Sequence, residues 1–242
     1  MRITQTPTAG SSSRTRRIAV INSNSSDRVT QQLADTVTPE LLSGTEAVFL
    51  NPAEGPEGID TLFDVIVSGA HTAALVREYS HDFDAFVVAC GNDPGLAAAR
   101  ELTDRPVIGI AEAGMLQACA QGATFSVAVL APAKVAGMRA LIRSYGLESR
   151  LASIIPARTT SRDAATSPGE LLDQLTDACR SRSSDELGDV LVLTGSVMGQ
   201  IAHALSTRIN RPVVAGILAG VRMAETLADA TTRPTYPSKE EA

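Results

Sequence analysis

Aromatic residues and long apolar runs are scarce in this chain of 242 residues. Phe, Tyr and Trp together make up 3% of the sequence, and Trp is absent. Ala, Val, Ile and Leu must therefore fill the core, which favours sheets covered by Ala-rich helices. No apolar run approaches the roughly 20 residues of a membrane span, and no signal-peptide apolar segment follows the N-terminus. The composition predicts a globular protein that is not embedded in a membrane.

Positive charge and cysteine are also in short supply. The chain has 21 Lys and Arg against 27 Asp and Glu, a net charge of −6, with no basic stripe interleaved with aromatics. This argues against nucleic-acid binding. Three widely spaced cysteines, Cys90, Cys119 and Cys179, argue against a disulfide framework and for the reducing cytoplasm. Neither they nor the three histidines show metal-site spacing, so we expect no metal.

Short apolar runs alternate with amphipathic, Ala- and Leu-rich segments along most of the chain. Continuous apolar strands separated by helices are typical of parallel sheets covered on both faces. The ends, 1–16 and 231–242, are polar and are predicted to be disordered. The predicted strands are 17–23, 47–51, 83–90, 106–110, 125–131, 153–157, 189–195 and 212–217. The predicted helices are 26–38, 59–80, 94–102, 112–121, 133–145, 169–182, 198–209 and 219–229.

The second half of the chain repeats the pattern of the first. The segment RPVIGIAEAG starts at Arg105, and RPVVAGILAG starts at Arg211. Cys90 and Ser196 each stand 16 residues before the proline of these segments. We therefore predict an α/β fold of two pseudo-symmetric lobes, each a mostly parallel four-stranded sheet with helices on both faces. Lobe 1 is predicted to span 17–114 and lobe 2 115–218, with the helix 219–230 packing back on lobe 1.

Three segments rich in small residues follow predicted strands: NSNSS (22–26), CGNDPG (90–95) and TGSVMG (194–199). Ligands of parallel sheets bind beyond the carboxyl ends of the strands. If the lobes face each other, Cys90 and Ser196 approach one cleft from opposite sides. Glycines and a helix N-terminus would bring backbone donors to a carboxylate or an enolate oxygen.

The same donors are expected to lower the pKa of the Cys90 thiol, so that a thiolate removes a proton next to a carbonyl. Plainer interpretations stay open. A cysteine at a strand end is often a small buried apolar residue, and Ser25 or Ser26 could cap a helix. Three loops, 53–60, 131–137 and 157–168, are expected to shape the pocket but carry no motif that names a substrate. The residues predicted to bind substrate are Asn22, Asn24, Ser25, Gly91, Asn92, Asp93, Gly195 and Val197.

These segments resemble the Asp/Glu/hydantoin racemase family over most of 17–230. The block from Cys90 to Glu101, with its Asp-Pro-Gly and Ala-Arg-Glu, is the strongest match. The matching segments are INSNSS (21–26), FDAFVVACGNDPGLAAARE (83–101), RPVIGIAEAG (105–114), LTGSVMG (193–199) and RPVVAGILAGVRMAE (211–225).

The resemblance implies two pseudo-symmetric α/β lobes with the active site between them. It implies a cofactor-independent racemase or epimerase acting on a small hydantoin-, allantoin- or Asp/Glu-like compound, and commonly a homo-oligomer. The family's racemases use two cysteines, one to take a proton from the stereocentre and one to supply a proton from the opposite face. The first corresponds to Cys90 and the second to Ser196.

The chain departs from the family at several positions. Ser23 stands where hydantoin and allantoin racemases usually have proline, and Leu130, Ala131 and Pro132 replace a Thr-Thr-like loop. An aspartate that the family commonly has after the last strand, near Ala215 or Gly216 here, is missing. The largest departure is Ser196, because a serine hydroxyl is a weaker acid than a thiol and a poor base without an activating partner.

Alternatives therefore stay open at this point. Ser196, directly or through water, could complete a racemase. A one-cysteine relative, such as a malonate-type decarboxylase or a maleate-type isomerase, would need only Cys90. The cleft could also bind a small carboxylate without turnover, or Ser196 could replace the cysteine of a racemase.

Overall fold

The computed structural model describes residues 2–5 and 15–228. Its strands are β1 Arg2–Gln5, β2 Arg16–Ile21, β3 Thr45–Leu50, β4 Ala85–Val88, β5 Val107–Gly109, β6 Phe125–Val129, β7 Leu151–Pro156, β8 Val190–Leu193 and β9 Val213–Ala215. Its helices are α1 Asp27–Val37, α2 Leu62–Glu78, α3 Leu96–Glu101, α4 Ile110–Gln121, α5 Val135–Ser144, α6 Ser161–Thr166, α7 Pro168–Arg180, α8 Ser184–Leu187, α9 Ala202–Ile209 and α10 Gly216–Ala228.

The strands form two separate sheets, one in each lobe. The first has the order β1-β3-β2-β4-β5 and the second the order β7-β6-β8-β9. Strands β2 to β5 pair in parallel, as do β6 to β9. The two orders β3-β2-β4-β5 and β7-β6-β8-β9 are the same when read in chain order. The predicted fold of two four-stranded parallel sheets is thus confirmed, and all eight predicted strands are present.

The first strand corrects the prediction of a disordered segment through residue 16. Arg2–Gln5 pairs antiparallel with β3, with Arg2 opposite Leu50, and β2 already begins at Arg16. The partner supplies the backbone hydrogen bonds that the polar segment could not satisfy alone. A single local sequence gives no sign of such a distant partner. The predicted tail 231–242 lies outside the described residues.

The strands are buried on both faces because helices cover both sides of each sheet. Every residue of β4, β6 and β8 is buried. Successive side chains along one strand therefore join apolar clusters on opposite faces of the sheet. Val87 packs with α10 and α4 residues, while Phe86 and Val88 pack on the other face of the first sheet. This explains why the strands appear in the sequence as continuous apolar runs.

Two helices join the lobes through close backbone contact. A Cβ atom on Gly114 of α4 would lie 3.1 Å from the Cα of Gly216 at the start of α10. A Cβ on Gly216 would lie 2.6 Å from the carbonyl oxygen of Ile110. Helix α10 also contacts β2, β4 and β5 of the first sheet. The lobes are therefore packed against each other across a core, and their strand ends open onto a shared cleft. No helix among the described residues has both the length and the apolar character required to cross a membrane.

Candidate active site between the lobes

A cavity of about 320 Å³ lies where the strands of both sheets end. Residues that follow β2, β4, β6 and β8 all contribute to its wall, so both lobes build it. The predicted site residues that line this cavity are Cys90, Ser196, Asn22, Asn24, Gly91, Asn92, Gly195 and Val197.

The loops that carry Cys90 and Ser196 touch each other. A Cβ atom on Gly91 would lie 2.9 Å from the carbonyl carbon and oxygen of Thr194, and 3.0 Å from the nitrogen of Gly195. Contacts this short leave no room for a side chain, so Gly91 is required for the close approach of the two loops. The thiol of Cys90 and the hydroxyl of Ser196 consequently line the same cavity, one from each lobe.

The Cys90 thiol is not the acidic group that its local sequence predicted. Burial raises its pKa to about 11, while the backbone N–H of Asn92 and the charge of Lys134 act in the opposite direction. The charges of Asp93 and Asp60 raise the pKa further. The expectation of a lowered pKa was wrong because desolvation of the thiolate outweighs the nearby donors. The raised pKa of Cys90 favours the neutral thiol over the thiolate at neutral pH.

Ser196 stands at the start of a 3₁₀ turn, Ser196–Ile201. Within the part of the chain that the structure describes, no protein group forms a hydrogen bond with its Oγ, and no histidine lines the cavity. The one carboxylate in the cavity wall, that of Glu57, pairs with Arg162 at 2.6 Å. Ser196 therefore has no general base among the described side chains.

The first loop of the site is held by its own hydrogen bonds. Asn22 is 1% exposed, and its Nδ2 donates to Asn24 Oδ1 at 2.9 Å and to Thr30 Oγ1 at 3.1 Å. The backbone N–H of Ser26 donates to Asn24 Oδ1 at 2.9 Å. Two of these three bonds, those from Asn22 and Ser26, use the side-chain oxygen of Asn24. Its amide N–H groups have no partner among the described residues and remain as donors to the cavity.

Asp93 does not line the cavity, although the sequence predicted that it would bind substrate. Its carboxylate accepts hydrogen bonds from the backbone N–H groups of Ala111, at 3.0 Å, and Glu112, at 2.9 Å, in the first turn of α4. The Tyr145 hydroxyl donates a third bond at 2.7 Å. A Cβ on Gly109 would lie 2.4 Å from this carboxyl group. Asp93 thus ties the Cys90 loop to α4.

Ser25 also points away from the cavity, because its Oγ donates to the carbonyl of Gly55 at 2.9 Å. Pro94 does not begin the following helix, as the sequence suggested. Helix α3 begins at Leu96 after Gly95, whose φ of 75° requires glycine. A Cβ on Gly95 would lie 2.3 Å from the carbonyl oxygen of Gly69, so glycine at position 95 allows the start of α3 to pack closely on α2.

The loops expected to shape the pocket do so, but their individual residues were not predicted. No motif in these segments could have indicated them. Beyond the loops, Arg28, Val29 and Met138 were also missed. The main cavity residues that the sequence did not identify are Ser26, Arg28, Val29, Glu57, Ile59, Lys134, Met138, Ser161, Arg162, Ala165, Thr166 and Thr194.

These loops join the lobes at the mouth of the cleft. Lys134 Nζ lies 3.2 Å from Asp60 Oδ1, and the Ser161 Oγ donates to the same Asp60 oxygen at 2.7 Å. Glu57 and Arg162 form the ion pair described above. Both carboxylates belong to the loop before α2, whereas their partners belong to lobe 2. Among residues 2–5 and 15–228, no three His, Cys, Asp or Glu side chains are grouped so that they could hold a metal ion.

The fold and the cavity define a two-lobed α/β protein with a cysteine and a serine on two equivalent loops, facing one cleft. The profile of the Asp/Glu/Hydantoin racemase family matches residues 18–224, and the chain belongs to this family. The named relatives are racemases, so the protein is an enzyme of the isomerase type.

Hydantoin racemases are among the relatives by sequence. The chain is 34% identical over 213 residues to that of Paenarthrobacter aurescens, covering 87% of this chain and 90% of that one. It is 30% identical over 232 residues to that of Pseudomonas sp. strain NS671, covering 93% of each.

Solved structures share the fold. The allantoin racemase of Klebsiella pneumoniae superposes with a TM-score of 0.82 at 30% identity, covering 88% of this chain and 87% of that one. The maleate isomerase Iso of Pseudomonas putida S16 has a TM-score of 0.68 at 16% identity, covering 91% and 96%. An arylmalonate decarboxylase mutant has a TM-score of 0.65 at 17% identity, covering 92% and 97%. The last two share the fold alone.

Proposed function

We propose that the protein racemises or epimerises a small hydantoin-like compound by moving a proton at the carbon next to a ring carbonyl. Cys90 is the principal catalytic residue, and Ser196 serves the opposite face of the substrate. The observation that carries the proposal is the shared cavity. A thiol and a hydroxyl line it from equivalent loops of two lobes, and these loops meet at Gly91 and Thr194.

The cavity offers suitable partners for such a ring. The amide groups of Asn24 and Asn92 line it and can donate to ring carbonyl oxygens. Such donors stabilise the oxygen of an enolate more than that of the neutral carbonyl, which lowers the barrier to proton removal. The apolar part of the wall, formed by Val29, Val129, Leu130, Met138, Val197 and Met198, can accept a ring substituent.

The proton steps follow from the two side chains. Cys90 must first lose its proton, which Lys134 and the Asn92 N–H favour against the effect of burial. The thiolate then takes the proton of the substrate carbon, and the C–H electron pair moves to the carbonyl to give an enolate. The enolate carbon takes a proton on its other face, from the Ser196 hydroxyl or a water bonded to it. The Ser196 oxygen, or the water, then regains a proton from solvent, which replaces the proton that Cys90 released at the start. Cys90 now holds the proton of the substrate and is again the neutral thiol.

Proton exchange in deuterated water tests this proposal. Single enantiomers of 5-substituted hydantoins are incubated with the enzyme, and deuterium at the ring carbon and optical rotation are followed. Cys90→Ser should slow exchange by about 10² to 10⁴-fold, the range for general acid–base groups. Cys119→Ser is the matched control, because Cys119 lies on α4 outside the cavity. Equal exchange by wild type and Cys90→Ser would disprove the role of Cys90.

One observation favours a second candidate, a malonate-type decarboxylase. The raised pKa of Cys90 makes it a proton donor at rest, and Ser196 has no activating base among the described residues. Loss of CO₂ from a substituted malonate would itself create the enolate, which then needs only the Cys90 proton. Release of CO₂ from such a malonate, with no exchange on any hydantoin, would select this candidate and exclude the racemase.

We also propose that the protein self-associates. Leu62, Phe63 and Ile66 on one face of α2 are 73%, 73% and 64% exposed, an apolar surface that water disfavours. The adjacent groove is lined by small side chains of α5, including Ala136, Gly137 and Ala140. A second copy related by a two-fold axis can place Phe63 in this groove, and the reverse contact then forms as well.

Analytical ultracentrifugation tests this interface. Phe63→Glu should shift the protein to a species of smaller mass, and an unchanged mass would show that this surface does not form the interface.

A further inference from the structure

The charges around the cavity are not balanced. Three cationic side chains line it, Arg28, Lys134 and Arg162. Lys134 pairs with Asp60 at 3.2 Å and Arg162 with Glu57 at 2.6 Å. Arg28 pairs with no carboxylate among the described residues. Arg28 is thus a solvent-exposed cation of the cavity wall without an ion-pair partner among the described residues, although the chain as a whole carries a net charge of −6.

Arg28 also occupies a position that helix stability does not favour. It lies in the first turn of α1, directly after the Ser26 N-cap and Asp27. The positive end of the helix dipole repels a cation at this position. Propensity and capping thus give no reason for an arginine here, whereas its place in the cavity wall does.

The Arg28 guanidinium is held in position from the other lobe. One terminal nitrogen donates to the carbonyl of Ala165 in α6 at 3.2 Å. Gln32, one turn further along α1, donates to the same carbonyl at 2.7 Å. An arginine has five N–H donors, and this is the one bond formed by Arg28 among the described residues. The remaining donors can bind a carboxylate through two parallel hydrogen bonds.

From these observations we infer that Arg28 selects substrates whose ring substituent carries a carboxylate. The inference rests on the proposed function and names its substrate class: hydantoins derived from acidic amino acids. The ring lies against Cys90 and Ser196, and the substituent extends towards the first turn of α1. Apolar substituents of the same size lack a partner for Arg28 and leave its charge uncompensated.

Three substrates of similar shape test the inference: 5-carboxymethyl-, 5-carbamoylmethyl- and 5-isobutylhydantoin. Wild type should exchange the carboxymethyl compound with the highest kcat/KM. Arg28→Gln should lower that value by about 10- to 100-fold, as expected for loss of a charged hydrogen bond, and change the other two by no more than about threefold. Arg28→Lys should restore part of the loss. Arg158→Gln is the matched control, an exposed arginine outside the cavity wall.

The outcomes separate this inference from the proposed function. Equal losses on all three compounds would assign Arg28 to lobe contact alone and overturn the inference, as would no loss on any of them. If no compound exchanges at all, the proposed function fails. Calorimetric binding then decides the inference independently, because the carboxymethyl compound should still bind wild type about 10-fold or more tightly than Arg28→Gln. Equal binding would refute the role of Arg28.

Discussion

The two lobes use equivalent loops in different ways. In lobe 1, the loop after β4 carries Cys90, and three residues later Asp93 accepts hydrogen bonds from α4 and Tyr145. In lobe 2, the loop after β8 carries Ser196, and three residues later stands Gly199. A Cβ at Gly199 would lie 2.8 Å from Cγ2 of Ile217 in α10. The first loop is fixed by a buried carboxylate and the second by apolar packing.

This difference shows that the fold is repeated while the chemistry is not. Strand order, loop position and the following helix agree between the lobes. The reactive atom and the residue that fixes the loop differ between the lobes. Lobe 1 has a thiol on a loop held by three hydrogen bonds to the Asp93 carboxylate. Lobe 2 has a hydroxyl on a loop with one buried side-chain hydrogen bond, from Thr194 Oγ1 to the carbonyl of Ala128 at 3.3 Å, and the close packing of Gly199 on Ile217.

The largest expected effect comes from making the reactive atoms of the lobes the same. Ser196→Cys should raise the rate of hydantoin racemisation by about 10²-fold or more, because a thiol is a far better proton donor and acceptor than a hydroxyl. The measurement is the decay of optical rotation of a single enantiomer. In the double variant Cys90→Ser with Ser196→Cys, the gain should disappear, because the racemase needs a thiol on each face for this rate.

A contrary result would favour the decarboxylase over the racemase. If Ser196→Cys gives no gain in racemisation and reduces CO₂ release from a malonate, the reaction needs a thiol in lobe 1 and a hydroxyl in lobe 2. Wild type and both single variants should be assayed on the same two substrates, so that a general loss of folding is recognised as loss on both.

The sequence predicted the repeated parts of the molecule well. Eight strands were evident because each is buried on both faces and forms a continuous apolar run. The spacing of Cys90 and Ser196 from their following strands placed both loops at strand ends. Strand β1 was missed because Arg2–Gln5 is polar and becomes regular only through pairing with β3. Its partner lies more than forty residues away, beyond the reach of local propensity.

The site was predicted less completely, and for a related reason. Arg28 comes from the first turn of α1, Glu57 from the loop before α2 and Lys134 from the loop after β6, and Lys134 joins the other two only because the lobes dock. Asp93 was assigned to substrate binding because it stands near Cys90 in the sequence, yet its side chain turns towards α4. The predicted shift of the Cys90 pKa had the wrong direction. The nearby donors can be read from the sequence, whereas the burial that raises the pKa arises only in the folded protein.

The next expected effect concerns the residue that fixes each loop. Asp93→Asn should lower the free energy of unfolding by about 2 kcal/mol or more at neutral pH, because an amide cannot accept bonds on both sides and leaves a buried N–H unsatisfied. Gly199→Ala, at the equivalent position of lobe 2, should cost about 1 kcal/mol, the low end for one methyl group added to a packed core, because it removes no hydrogen bond. Urea unfolding measures both. Equal losses would mean that the two loops are held alike.

The smallest expected effect is the pH dependence of this difference. Burial raises the pKa of Asp93 from 3.8 to about 6, although the N–H groups of Ala111 and Glu112 and the Tyr145 hydroxyl lower it. The folded protein thus holds this proton more tightly than the unfolded chain does. The contribution of Asp93 to stability is complete below about pH 4 and decreases as the pH rises through about 6.

The stability difference between wild type and Asp93→Asn should therefore shrink as the pH is raised from about 4 to about 7, because the variant has no titrating group at this position. Urea unfolding at intervals of pH measures it. Tyr145→Phe sharpens the test, since removing the 2.7 Å bond to Asp93 should raise the Asp93 pKa further and move the decrease to higher pH. A difference that stays constant over this range, or one that grows with pH, would show that the three hydrogen bonds outweigh burial. The lobe 1 loop would then be held by an ionised carboxylate throughout.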